Sequence, residues 1–464
     1  MSSSLKNYIT DNQVSIRELL PIESLIQLIS ASIKIQNSSH IHSQGALIDA
    51  FISTVTFNNS IVSDLALKDS NMKIVGSTLE LKDMTITNIS NPDNVDFIVT
   101  SLGSTLLFTN VLYTHSNSVL FNLVSSKMEA SNLTFEHING AYHLFKTFSS
   151  DSISIENIQT LNVSSSAISL ISVKSTTNCS ISHSSFDSIG QLVFEIKRSN
   201  QVSLSNVTVT DSQEAVRIFR SNTVAIRNSS FVSNGESSST NGGAVDIMNS
   251  KVSISDSEFI NNTASQGAAI YFGCNLMSLC NLSAQNTLFR LNNAIKMGGA
   301  IYYSFKRPDL SNIVFENNSA PYGPDLASYA VKIRRYDSTS DNISIDNVGA
   351  GIKYDKDIKL SLLDYDNQVM VLNSVNEITI SSSASNVTSV SGTNSVLQEN
   401  GIGTFNNLIV FGIHGSRGVE FQSSSKAIDT DKITQVYGGA VSNNTVTVNF
   451  RECMPGEYIE SSNQ

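Results

Sequence analysis

Residues 259–270 read Phe259-Ile260-Asn261-Asn262-Thr263-Ala264-Ser265-Gln266-Gly267-Ala268-Ala269-Ile270, and both halves of that stretch recur along the chain. The FINN half returns as FVSN at Phe231, FRLN at Phe289 and FENN at Phe315. Going backwards, the same slot is taken by Val209, Phe186, Leu161, Phe135, Tyr113, Ile86 and Phe57. From Phe57 to Phe315 the slots are 22 to 30 residues apart, with a mean near 26. The glycine half returns as Gly242-Gly243-Ala244-Val245 and Gly298-Gly299-Ala300-Ile301, beside Gly267-Ala268-Ala269-Ile270. An Asn also stands three positions before several slots, at Asn110, Asn132, Asn206 and Asn228.

A period of about 26 residues without helical spacing leaves short strands separated by turns. Such units are stable only when stacked, each strand pairing with its copy above and below. The slot residue then rests on its equivalent in the next coil, and the Asn side chains form ladders along the stack, as amides do in other stacked strands. The turn glycines Gly242, Gly243, Gly267, Gly298 and Gly299 allow a tight turn or close backbone approach. A helical solenoid lacks its i, i+3, i+4 pattern here, and a propeller needs blades of about 40 residues.

Composition fits strands. Hydrophobic residues make up 40% and charged residues 15% of the 464 positions, against about 25% charged in ordinary domains. Ser and Asn take the place of the missing charges. The net charge is −11, which argues against nucleic acid as a partner, since phosphate binding needs a basic face. It also argues against docking on an anionic membrane. The N-terminus lacks a signal-peptide pattern and no apolar run reaches membrane length. Fourteen Asn-x-Ser/Thr sequons are present; a Ser- and Asn-rich chain makes many by chance, and a glycosylated ectodomain is the other reading.

The pairing of GGAV, GAAI and GGAI with FVSN, FINN, FRLN and FENN resembles the polymorphic outer-membrane protein repeat, a variety of the pectin-lyase-like right-handed β-helix. Phe315 to Tyr329, FENNSAPYGPDLASY, is similar to the closing coil of long β-helical surface proteins of ciliate-type protists. The resemblance implies a cell-surface place and adhesion. Near the C-terminus, the stretch from Cys453 to Tyr458 resembles the opening of a Cys-rich, growth-factor-receptor-like module, of which only Cys453 is present. The chain therefore reads as a fragment of a longer, membrane-anchored parent.

The period breaks after about 330. Short alternating segments come next, such as VKIRRY, ISIDNV, DIKLSLLDY, QVMVLN and TVTVNF. They suggest an immunoglobulin-like β-sandwich, though without its Cys pair or Trp. The expected organisation is thus a lead-in over 1–24, a right-handed parallel β-helix over 25–330, an immunoglobulin-like sandwich over 331–450 and a truncated Cys-rich start over 451–464. Cys274 and Cys280 flank a five-residue loop and are disulfide candidates, the alternative being two buried thiols. Cys179 reads as a buried coil residue.

The fold class includes polysaccharide-cleaving enzymes, and these make particular demands on acids. Lyases need a base and hydrolases two carboxyls at fixed separation. Asp83, Glu129, Glu156, Asp187 and Asp211 fall in different coils. Asp256 and Glu258 share a face but flank the inward Phe259, so they read as a solvated pair. His40 and His42 give at most half a metal site. Asp364 with Asp366, and Asp429 with Asp431, read as turns rather than calcium ligands. The expectation is a non-enzymatic extracellular scaffold or adhesion fragment, with no catalytic residue, cofactor or metal and with an unknown glycan or protein as partner. The alternative is a polysaccharide lyase or glycoside hydrolase. One grooved acid cluster on a single face would favour the enzyme; scattered acids would favour the scaffold.

Overall fold

The computed structural model describes residues 24–38, 46–64, 72–90, 97–116, 119–141, 143–165, 169–236, 241–371, 377–383, 388–439 and 444–457. His40 and His42 lie outside them. Two compact units divide the chain: one covers most of the sequence up to Ser319, the other most of the remainder.

The first unit is an all-β parallel solenoid of the right-handed type, with about eleven coils. Each coil contributes one strand to the first of two long sheets and one long strand or two short ones to the second. The first sheet runs in chain order from Ser24–Ile29 through Ala46–Phe51, Met72–Val75, Phe97–Leu102 and so on to Ile270–Gly273. The second contains the longer strands, such as Thr105–Ser116, Lys127–Ala141 and Gln201–Thr210. Pairing is parallel throughout, so every residue has a partner one coil away and columns of equivalent side chains run along the stack.

The coil closes through corners at which one residue takes the left-handed conformation. One column of corners is Asn59, Asp83, Asn110, Asn132, Asn157, His183, Asn206, Asn228 and Asp256, all with φ between +46° and +59°. Asn, Asp and His tolerate that region better than other side-chain-bearing residues. Here lies the reason for the Asn three positions before the slot. Its amide also links coils: Asn132 Nδ2 donates to Asn110 Oδ1 at 2.9 Å, and Asn157 Nδ2 to Asn132 Oδ1 at 2.8 Å. A second column of corners follows the slot by two residues, as in His115, His137, Asp211, Ser233 and Asn261, and a third contains Ser125, Ser149 and Ser175.

A corner breaks the sheet ladder and leaves a buried backbone N–H to be satisfied. Serine does so. Ser53 N donates to Ser77 Oγ at 2.9 Å, Ser77 N to Ser104 Oγ at 3.2 Å, and Ser221 N to Ser250 Oγ at 3.0 Å. Each such hydroxyl turns back to a carbonyl of its own strand, as Ser77 Oγ does to Val75 O at 2.7 Å. At the corner after the slot Ser212 accepts in the same way from Ile189 N, and the following coils put the final Asn of the FxxN motif in that place: Asn234, Asn262 and Asn292 are fully buried.

Between the sheets lies the core. Phe231, Phe259 and Phe289 are fully buried and stack at 5.0 Å between ring centroids. Phe315 continues the stack at 5.4 Å but is half-buried in the last coil. The register places Tyr113 opposite Phe135 and Val209 between Phe186 and Phe231. Two slots need correction. Leu161 is 52% exposed, because Thr160 pairs with Phe135 and takes the slot. Phe57 pairs with Leu81 in a neighbouring inward column, whereas Ile86 pairs with Val62. Both errors came from following bulk along the sequence where the left-handed corner fixes the register.

Gly242 and Gly267 take φ of +68° and +59°, and a Cβ would lie 2.4 Å from Val245 O and 2.2 Å from Ile270 O respectively. The Cys274 and Cys280 sulfurs are bonded, with Cα atoms 5.9 Å apart. Cys179 is buried between Ile153 and Val202, and Cys453 is exposed.

Among the described residues, the second unit contains two antiparallel or mixed sheets, a two-stranded ribbon and one helix, Thr430–Tyr437. The described part of the QVMVLN segment, residues 368–371, forms an isolated bridge at Val369. The helix is absent from the sequence reading. Asp429 caps it, accepting from Lys432 N at 3.0 Å, and Asp431 lies in its first turn, where a negative charge favours the helix dipole.

Candidate active site

The acids singled out from sequence are scattered over the corners and outer face of the second sheet. Asp83 accepts from Asn110, Asp256 from Asn286, and Glu258 from Ser230. Glu129, Glu156, Asp187 and Asp211 are exposed. In the second unit, Asp364 is fully buried and accepts from Tyr322 Oη at 2.6 Å and Gln368 N at 2.8 Å. Asp366 accepts from Tyr303 Oη at 2.7 Å and Arg307 Nε at 2.9 Å. Those oxygens are occupied by protein donors. Among the described residues, no three His, Cys, Asp or Glu side chains converge to hold a metal.

A different cluster sits on the outer face of the first sheet. The strands Ser169–Lys174, Leu192–Lys197, Glu214–Phe219 and Val245–Met248 lie side by side. Their register sets Ser172, Glu195, Arg217 and Asp246 in one outward column, continued by Tyr271. Arg217 Nε donates to Glu214 Oε1 at 3.0 Å, its Nη2 donates to Glu214 Oε2, and its Nε lies 3.9 Å from Asp246 Oδ2. Glu195 takes hydrogen bonds from Lys197 and, at 3.2 Å, from Ser172 Oγ, and Lys174 Nζ lies 3.5 Å away. Tyr271 and Tyr302 stack at 5.3 Å beyond Asp246.

Electrostatics separates these carboxyls. Burial pushes Glu214 and Asp246 up to about 7, against the pull of Arg217. Glu195 is held below its ordinary value: burial opposes ionisation, but Lys197, Lys174 and Ser172 together outweigh it. Asp246 keeps 17% of its side chain exposed and Arg217 36%, whereas Glu195 is almost fully covered. Asp246 Oδ1 and the amide of the buried Gln191 have no hydrogen-bond partner among the described residues. An ionised carboxylate, two protonatable carboxyls and a guanidinium on one face can donate and accept protons near neutrality.

Sequence reasoning missed Glu195, Glu214 and Asp246 because it searched near the slots, on the other sheet. Their signal is spacing: Glu195, Arg217 and Asp246 are one coil apart. A shallow groove of about 420 Å³ over Ser154, Asn178, Ser180, Ser203 and Arg227 lies on the second sheet. It offers hydroxyls and amides but no carboxyl, and a second shallow groove of about 440 Å³ on the same sheet is lined by Asn228, Ser230, Asp256, Glu258 and Asn286.

Residues 256–273 match the Chlamydia polymorphic membrane protein repeat, a short match within one coil. No curated protein matches the chain in sequence. Three solved structures are similar in fold. An alginate lyase in complex with a trisaccharide shows 10% identity and a TM-score of 0.30 over 68% of this chain and 84% of that one. The A-module of mannuronan C-5 epimerase from Azotobacter vinelandii shows 9% and 0.25 over 64% and 90%. The enzymatically active domain of tailspike protein 2 from bacteriophage CBA120 shows 10% and 0.33 over 91% and 72%. The likeness extends to the parallel β-helical fold alone. Although the acids singled out from sequence scatter, Glu195, Glu214 and Asp246 gather with Arg217 on one face of the first sheet, and this cluster corrects the expectation of a non-enzymatic scaffold or adhesion fragment.

Proposed function

We propose that the chain is a polysaccharide-degrading enzyme, a lyase or a glycoside hydrolase, working at the Glu195–Glu214–Arg217–Asp246 face. One observation carries this reading: two carboxyls raised to about 7 share Arg217 on one face beside an ionised Glu195. Asp246, the more accessible of the pair, is the proton donor or acceptor. Glu214 holds Arg217, and Arg217 faces charge developing on the sugar. Tyr271 and Tyr302 offer aromatic surface to a sugar ring along the same column. Incubation with a panel of uronate-containing and neutral polysaccharides tests the reading. Unsaturated uronate products mark a lyase, and new reducing ends without unsaturation mark a hydrolase. Product release abolished by Asp246→Asn supports it; release from no polymer, or release indifferent to Asp246→Asn and Glu214→Gln, overturns it.

We infer that the second unit is immunoglobulin-like. Its strand order supports this: Ile343–Val348, Thr445–Phe450, Val419–Ser424, Glu377–Ser382 and Ser395–Leu397 in one sheet, and Lys332–Arg335, Ile358–Leu363 and Ile402–Phe405 in the other. The early strand Ile343–Val348 runs parallel to the last one, and the other pairs of those two sheets are antiparallel. An experimental structure in which the two sheets do not pack face to face would refute it. An extracellular place is proposed on the disulfide and the sequons; resistance of the native protein to protease added outside intact cells counts against it.

A further inference from the structure

On the first sheet, two residues beyond the column that holds Lys73, Thr100 and Asn122, runs a second outward column: Ile29, Phe51, Val75, Leu102, Val124 and Phe148. It is apolar over six consecutive coils and then ends, because Lys174 and Lys197 take the next two positions. Ile29 is 75% exposed, Phe51 and Leu102 49%, and Phe148 50%, and the neighbouring corner residue Ile52 is 59% exposed. With strands about 4.8 Å apart, the stripe is roughly 24 Å long. Five large side chains each about half exposed present on the order of 500 Å² of apolar surface, at the upper end of what monomers leave open.

The order of the column is self-complementary. Around Leu102 it reads Phe51, Val75, Leu102, Val124, Phe148, the same in both directions. Beside it stand Asp49, Lys73, Thr100, Asn122 and Lys146 on the same face. Asp49 Oδ1 is buried with no hydrogen-bond partner among the described residues.

We propose that this face binds a second copy of the chain, antiparallel, about a two-fold axis that runs along the strands at Leu102. Leu102 then meets Leu102 of the other copy, and Phe51 meets Phe148. Asp49 faces Lys146 across the interface at both ends. A two-fold pairing contacts the same patch on both copies. The parallel alternative, with its axis along the column, sets Phe51 against Phe51 and carries Asp49 and Lys146 of the two copies to opposite sides of the axis, so that they do not meet.

The full chain in a Cys453→Ser background, which removes the exposed thiol, is measured by analytical ultracentrifugation and oxidative cross-linking. A dimer of twice 50.2 kDa is expected. Leu102→Lys places two like charges on the axis and is expected to raise the dimer Kd about 30-fold or more. Far-ultraviolet circular dichroism and the thermal midpoint check that the variant remains folded. Leu102→Cys is expected to cross-link to itself, and Asp49→Cys to do so only when Lys146→Cys is present. A monomer whose Leu102→Cys thiol resists alkylation overturns the proposal in favour of cover by another part of the chain. A freely alkylated monomer, a dimer indifferent to Leu102→Lys, or self-cross-linking of Asp49→Cys alone overturns it as well.

Discussion

Asn262 accepts a hydrogen bond on its Oδ1 from Asn234 N at 2.9 Å, while its own Nδ2 reaches back to Phe231 O at 3.0 Å in the coil before. The same pair of bonds recurs from Asn292 to Asn262 and Phe259, and from Asn318 to Asn292 and Phe289. One side chain thus replaces the backbone pairing that the corner interrupts, and it does so without exposure to water.

Asn262→Ala removes these bonds and strands Asn234 N inside the stack. The expected loss is about 3 kcal/mol, read as a lower urea midpoint. Asn262→Ser is expected to lose less, because Ser212 already fills the equivalent position one coil before Asn234 and accepts from Ile189 N. Equal losses for Ala and Ser would remove the ladder from the account.

Gly267→Ala places a Cβ 2.2 Å from Ile270 O at a left-handed φ. Both terms act in the folded state, so a loss of about 2 kcal/mol or more is expected. Gly103→Ala, also at positive φ but with open space around it, isolates the conformational part. It is expected to cost about 1 kcal/mol.

Burial raises Glu214 and Asp246 to about 7, so the folded chain holds their protons more tightly than the unfolded chain does. Their contribution to stability is fully present below the unfolded carboxyl range and is lost as pH rises through about 7. In Asp246→Asn the decline in stability between roughly pH 4 and pH 8 is therefore shallower than in the parent chain. Denaturant midpoints measured across that range check the slope. A steeper decline in the variant is the contrary result.

Cys280→Ser opens the loop that Cys274 closes. The loop is short, so the expected loss is about 2 kcal/mol. Hydrogen exchange should quicken around 274–280 and leave the Phe231 to Phe289 stack protected, because each coil contacts only its neighbours.

The repeat was legible because its signal is physical bulk at a fixed place: Phe231, Phe259 and Phe289 must fill the same gap in successive coils. Asn110 and Asn132 were legible as a column but not as corners, since φ is not written in composition. Leu161 misled because an apolar residue beside a corner resembles a slot residue; only the pairing of Thr160 with Phe135 separates the two. The acid face was hidden for another reason. Glu195 and Asp246 are 51 residues apart in sequence, and only the coil length, which varies, brings them into one column. In the second unit the helix Thr430–Tyr437 was obscured by a short length and a mean hydropathy typical of turns, although Asp429 is an ordinary helix cap.

The two corners that flank the slot are five positions apart in every described coil, as in Asn110 and His115 or Asn206 and Asp211. Most variation in coil length falls on the connection that returns from the second corner to the first sheet, with the Cys274–Cys280 loop as an insertion between the first sheet and the first corner. That connection is short between Asp211 and Glu214 and long between Ser233 and Val245. Residues added or removed there leave every column in register. The edge beside Glu214, Arg217 and Asp246 is thus the place where such a chain can acquire new reach and selectivity in evolution, while the slot segment between the two corners keeps a fixed length.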